Sequence, residues 1–168
     1  DMGTTLDSLL IEAENLMYKQ KLTDIKDTGN ANLIALLKTL RTKSFETEGH
    51  VRRMQVMAVE FGEKLGLPES ELNRLSLLIT LHDIGKINIP GEILTKRGPL
   101  DEKEWAIMKR HPETGYRIVR STEEFAHVAA DVLSHHERWD GTGYPRGLKG
   151  KQIPFLARIT AIVDAYEV

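Results

Sequence analysis

The chain has 168 residues, 40% apolar and 29% charged, with a formal charge of −2 and no cysteine. That length suits one compact domain with a real core, and no apolar run approaches the roughly 18 residues of a membrane span. The near-neutral balance gives no global attraction to nucleic acid polymers or anionic lipid, and any metal has to be held by nitrogen and oxygen ligands. No basic leader precedes an apolar stretch, so a cytoplasmic home without membrane contact is expected.

At the start of the chain, Leu6, Leu9, Leu10, Ala13, Leu16 and Met17 recur at helical spacing, which predicts a helix over residues 1–22. Asp24, Asp27, Gly29 and Asn30 mark residues 23–30 as a linker, and the main domain is expected over residues 31–168. A long helix over residues 46–65 should turn Val51, Met54, Met57, Ala58, Phe61 and Leu65 inward and stop at Gly66. Pro68 opens the next helix, where Leu72, Leu75 and Ile79 step on to His82. Gly85 reads as its terminator, and Asn88-Ile89-Pro90-Gly91 reads as a loop. Asp101 should cap a helix carrying Trp105, Met108 and His111, with Pro112 breaking the register. Phe125, Ala129, Val132 and His136 fall on one stripe of a further helix. Residues 139–154 hold four Gly and two Pro and predict a loop, before a last helix over residues 155–168 that bears Asp164. No strand pattern occurs, so the expected fold is all-α.

Five of the six histidines fall at the ends or inner faces of these helices: His50, His82, His111, His135 and His136. A lone inward histidine is usually a hydrogen-bonded core residue, but five of them in company with Glu46, Asp83 and Asp164 point to metal. Glu46 precedes His50 by one helical turn, which puts both on one face. Adjacent residues point about 100° apart, so His82-Asp83 and His135-His136 would each serve two neighbouring ions, with the Asp83 carboxylate as the natural bridge. Such a mixed set suits iron, manganese or zinc. Two metals about 3.5–4 Å apart catalyse in-line phosphoryl displacement, so phosphoester hydrolysis is the implied chemistry.

His82-Asp83-Ile84-Gly85-Lys86, followed by His135-His136-Glu137, Asp140-Gly141 and Gly143-Tyr144-Pro145, resembles the HD-GYP domains, bacterial phosphodiesterases of cyclic di-GMP. The resemblance spans residues 45–168. It implies an HD-domain helical bundle with a metal centre in its core and a Gly/Pro-rich GYP loop. By that resemblance His50, His82, Asp83, His111, His135, His136 and Asp164 are metal ligands, and Glu46 matches the extra carboxylate of members that hold three metals. Two or three divalent ions are implied, iron or manganese foremost and zinc as an alternative. Asp83 and Lys86 take the catalytic roles, and Lys86, Gly143, Tyr144, Pro145 and Arg146 face the substrate, with Lys149 and Lys151 extending a basic rim. The implied reaction is hydrolysis of cyclic di-GMP to pGpG, to GMP, or to both.

Departures from the family pattern are Glu167, where members often have Asp, and an expected truncation after Val168, before further basic residues that contact substrate. The stretch from Ala13 to Lys19 is similar to the closing helix of a GGDEF (diguanylate cyclase) domain, so GGDEF or other signalling proteins are expected partners. Two alternatives stand beside the leading reading. One is an HD phosphohydrolase of another nucleotide, against which the Gly143-Tyr144-Pro145 loop argues. The other is an inactive signalling module that binds a nucleotide or a protein, against which the complete ligand set argues.

Overall fold

A computed structural model describes residues 35, 37–39, 42 and 48–167. The expectations for residues 1–22, for the linker and for Glu46 lie outside the described residues. The backbone separates into two units, Asp1–Lys38 and Thr39–Val168, and the second holds the helices that build the site.

Helix α1 (Glu48–Lys64) buries Val51, Met54, Gln55 and Ala58 against α2 (Glu69–Leu81) and the C-terminal helix. Gly66, at φ 73°, ends the segment as expected, with Leu67 N–H donating to Gly62 O at 3.0 Å, the six-to-one bond of a glycine C-cap. The inward stripe differs from expectation in its last turns, because Phe61 is 36% and Leu65 49% exposed. At that level α1 turns Gly62 towards Leu72 and Leu75 of α2, so closely that a Cβ there would lie 2.7 Å from Leu72 Cδ2. Phe61 and Leu65 are thereby rotated onto a groove of about 810 Å³ shared with Trp139, Phe155, Ile162 and Tyr166.

Pro68 caps α2, with Glu69 and Glu71 in its first turn suiting the helix dipole, and Leu75, Leu78, Ile79 and Leu81 are buried. Each such aliphatic side chain contributes about 1.5–3 kcal/mol by leaving water. Gln55 stitches α1 to α2 by donating to Ser76 Oγ at 3.2 Å and Thr80 Oγ1 at 2.9 Å. Gly85 does not terminate α2. The helix ends at Leu81, His82 and Asp83 turn the chain, and Gly85 lies inside a 3₁₀ helix, Ile84–Asn88. Its lack of a side chain serves a close approach: a Cβ would sit 1.9 Å from His111 O and 2.5 Å from Gly115 N.

The expected loop after it is shorter, since Gly91 opens a brief helix, α3 (Gly91–Leu94). Asp101 caps α4 (Glu102–Met108) in a full capping box, accepting from Lys103 N and Glu104 N while Glu104 Oε2 accepts from Asp101 N. The helix stops at Met108, and His111 instead begins α5 (His111–Arg120). Pro112 starts this helix rather than breaking one, because a first-turn residue has no intrahelical use for an N–H. Residues expected on a single later helix form a 3₁₀ helix, Glu123–Val128, running into α6 (Ala129–Ser134). After an irregular stretch and a 3₁₀ turn, Gly150–Gln152, α7 (Phe155–Glu167) buries Leu156, Ala157, Ile159 and Val163. Among the described residues there is no strand, and no helix is long and apolar enough to cross a membrane.

Candidate metal centre

Three imidazoles are brought together from helix ends. His82 follows α2, His111 begins α5 and His135 follows α6, and all three are 1% exposed. Each turns its Nδ1 to the backbone carbonyl three residues earlier: His82 to Ile79 O at 2.7 Å, His111 to Met108 O at 2.8 Å and His135 to Val132 O at 2.6 Å. A carbonyl can only accept, so the proton is assigned to Nδ1 and the neutral ring presents a lone pair at Nε2. Those nitrogens converge. His111 Nε2 and His135 Nε2 are 3.2 Å apart, and Asp83 Oδ1 lies 3.2 Å from the first and 3.8 Å from the second. Asp83 Oδ2 lies 3.4 Å from His82 Nε2. The His136 ring is 4.1 Å from that of His135 and 4.9 Å from that of His111, centroid to centroid. One ligand atom from each of Asp83, His111, His135 and His136 falls within 4.8 Å of every other.

Burial pushes the His135 imidazole down, and burial with His135 and His111 alongside pushes His136 down to about 2, so both rings are neutral near neutral pH. Burial alone would raise the Asp83 carboxyl, but the Lys86 ammonium beside it outweighs this and holds Asp83 well below the usual carboxylate range. Lys86 Nζ bonds Asp83 Oδ2 directly. Two lone pairs facing each other at 3.2 Å, beside an ionised carboxylate, repel unless a cation lies among them. The nitrogen and oxygen donor set fits a divalent transition metal, with Nδ1–H···O=C bonds behind each of three rings to hold orientation.

His82 meets this group of four through Asp83 Oδ2, while His50 and Asp164 are carried on α1 and α7. His50, on α1, is half-buried with Nδ1 3.8 Å from Glu167 Oε1, and Glu167 also bonds Arg53. Asp164, one turn before Glu167 on α7, is near enough to help burial and Asp83 push the Tyr144 hydroxyl up. Tyr144 stacks on His136 at 4.9 Å and 29°, with edge contacts to Trp105 at 6.3 Å and His111 at 6.5 Å. Gly143 leaves no room for a side chain, and the bond from Tyr144 to Pro145 is cis. Arg146 Nη2 donates to Ser134 Oγ at 2.7 Å.

One residue that the sequence reading left without a role is Glu137. Buried at 3% exposure, it accepts the backbone N–H of Arg146 on Oε1 at 2.7 Å and that of Leu148 on Oε2 at 2.8 Å. Its sequence signal is an acid beside the histidine pair, while its partners, backbone amides, carry no residue signature.

The HD domain family model matches residues 34–168. A 3′3′-cGAMP-specific phosphodiesterase 2 of Vibrio cholerae is 40% identical over 95% of this chain, and a cyclic di-GMP phosphodiesterase response regulator, RpfG, of Xanthomonas campestris is 38% identical over 87%. A cyclic di-GMP phosphodiesterase of Thermotoga maritima is 41% identical over 74%. The chain spans 30%, 39% and 34% of those proteins, about a third of each. With the matched model covering the whole described site, the chain belongs to the HD domain family.

Proposed function

We propose that this domain is a metal-dependent phosphodiesterase that opens cyclic di-GMP to pGpG and carries product on to GMP. The observation that supports this most directly is the set of three imidazoles, each with Nδ1 on a main-chain carbonyl, aiming Nε2 at Asp83. A group prepared in this way binds cations without rearrangement. Asp83, His82, His111, His135 and His136 would hold two divalent ions, with His50 and Asp164 closing the ligand set, and iron or manganese fits better than zinc. Bound ions would supply Lewis acidity to the phosphoryl oxygens and lower the pKa of an attacking water. The remaining work falls to the chain: Lys86 offers its ammonium to the developing phosphoryl charge, and Tyr144, with Gly143, Pro145 and Arg146, shapes the face that a guanine meets.

Glu46 is assigned to a third ion together with His50, extending the site towards the terminal phosphate of pGpG. Glu46→Gln should then lose about one metal per chain and let pGpG accumulate; unchanged stoichiometry and product ratio would remove Glu46 from the set. In this reading the domain works in the cytoplasm, residues 1–22 are the end of a GGDEF domain, and GGDEF or other signalling proteins are its partners. A second substrate, 3′3′-cGAMP, is favoured by the name of the Vibrio relative at 40% identity.

The test is direct. Protein purified without air and loaded with Fe(II) or Mn(II) is incubated with cyclic di-GMP and with 3′3′-cGAMP in parallel, and products are separated over time. Turnover of cyclic di-GMP that stops on chelation is expected. Failure of metal-loaded protein to cleave either dinucleotide would overturn the proposal, and preference for 3′3′-cGAMP would move it to the second substrate.

A further inference from the structure

The loop after the histidine pair is tied down by one side chain. Glu137 spends both carboxylate oxygens on backbone amides, Arg146 N–H at 2.7 Å and Leu148 N–H at 2.8 Å, nine and eleven residues further on. Such charge-assisted bonds make burial of a carboxylate tolerable and fix where the donors sit. Three further features pull the same way. Tyr144 N–H donates to His136 O at 3.2 Å, and Arg146 Nη2 donates to Ser134 Oγ at 2.7 Å. At Gly143 a Cβ would lie 2.2 Å from Arg138 N and 2.5 Å from Glu137 Cα, so the loop backbone rests on the backbone of residues 137 and 138. All of these ties flank Tyr144, whose ring lies on His136.

We propose that Glu137 is a positioning residue, which acts through the loop to hold Tyr144 against His136 and so sets the surface offered to the cyclic dinucleotide. The inference rests on the proposed function for its substrate and on geometry alone for the clamp. Glu137→Gln is the apt perturbation, because an amide keeps the size but has a single acceptor oxygen. Its NH₂ group must face one of the two N–H donors, and that bond is lost.

Two measurements on manganese-loaded protein decide the matter. Amide hydrogen exchange should rise about tenfold or more at Arg146 and Leu148 in Glu137→Gln, with exchange in α7 unchanged. For cyclic di-GMP, kcat/KM should fall roughly 10- to 100-fold in Glu137→Gln, the scale of an ångström-level misplacement, but less than about twofold when the same change is made in Tyr144→Ala. Metal content should stay at the parent value throughout. Unchanged exchange at the two amides would overturn the clamp, and equal losses in both backgrounds would overturn its action through Tyr144. If the parent cleaves no cyclic dinucleotide, the proposed function fails, while the exchange measurement still decides for or against the clamp.

Discussion

Replacing Gly85 by alanine should damage the fold and the metal centre together. The new Cβ would lie 1.9 Å from His111 O, and ordinary contact begins near 3.4 Å, so the 3₁₀ helix and α5 have to separate by about 1.5 Å. No rotamer change relieves this, because the atoms met are the backbone of His111 and Gly115. Overpacking costs about 1–3 kcal/mol, and a backbone clash belongs at the upper end. For a unit of this size that lowers Tm by roughly 10 °C. The same displacement carries Asp83, two residues before Gly85, away from His111, whose Nε2 is 3.2 Å from Asp83 Oδ1. Metal sites tolerate only about 0.2 Å in ligand distance, so Mn(II) affinity should fall about tenfold or more. Thermal melting of metal-free protein and titration with Mn(II) read the two effects separately. Gly91→Ala is the control, since nothing lies within 4 Å of a Cβ there. A Gly85→Ala protein that melts with the parent and binds Mn(II) equally would refute the close-approach argument.

Other expectations concern stability, metal and charge. Arg74 Nη2 bonds Asp131 Oδ2 at 2.6 Å, and Asp131 is 1% exposed, so Arg74→Met should cost about 3–5 kcal/mol at neutral pH by stranding a buried carboxylate. Burial already raises the Asp131 pKa, and a folded-state pKa above the unfolded one means stability is lost as pH rises through it. The Tm deficit of Arg74→Met should therefore shrink as pH falls towards the carboxylate range and lose this pH dependence in the Asp131→Asn double variant; a deficit flat with pH would count against the ion pair. Chelation should lower Tm, because an ion at 100 times its Kd stabilises by about 2.7 kcal/mol, and an unchanged melt of protein first shown to contain metal would argue against a site built from separate helices. Lys86→Ala should keep its metal and lose turnover by about 10², the scale of one lost transition-state charge donor. Equal activity would make Lys86 a structural partner of Asp83 only.

The parts of this molecule that were legible in its sequence are those with local causes. The apolar period of α2, the acid-first turn after Pro68, the capping box at Asp101 and the stop at Gly66 all depend on residues within one or two turns of each other. The crowding of His82, Asp83, His111, His135 and His136 was readable as well, because unusual residue types at helix ends leave few bland explanations. What escaped depends on neighbours distant in sequence. Pro112 suits a helix start as well as a helix break, and the apolar spacing running from Trp105 to His111 favoured the wrong choice. Gly85 signalled a terminator locally, whereas its reason is the backbone of α5. Phe61 and Leu65 continue the apolar stripe of α1, and only the seat of Gly62 on α2 turns them outward. Glu137 was hidden for a related reason, since main-chain amides are the same at every position that is not proline.

The carbonyls behind the three imidazoles belong to Ile79, Met108 and Val132. No replacement of those side chains deletes the acceptor, because the oxygen is part of the polymer itself. Ring orientation at the metal centre is thus insulated from point substitution at the positions that enforce it. Helical register is what it depends on, so a one-residue insertion or deletion between a carbonyl and its histidine would disorient a ring that side-chain changes at the carbonyl position leave in place. Chains that keep the spacing of three can accordingly differ at these three positions and still hold the rings in the same orientation.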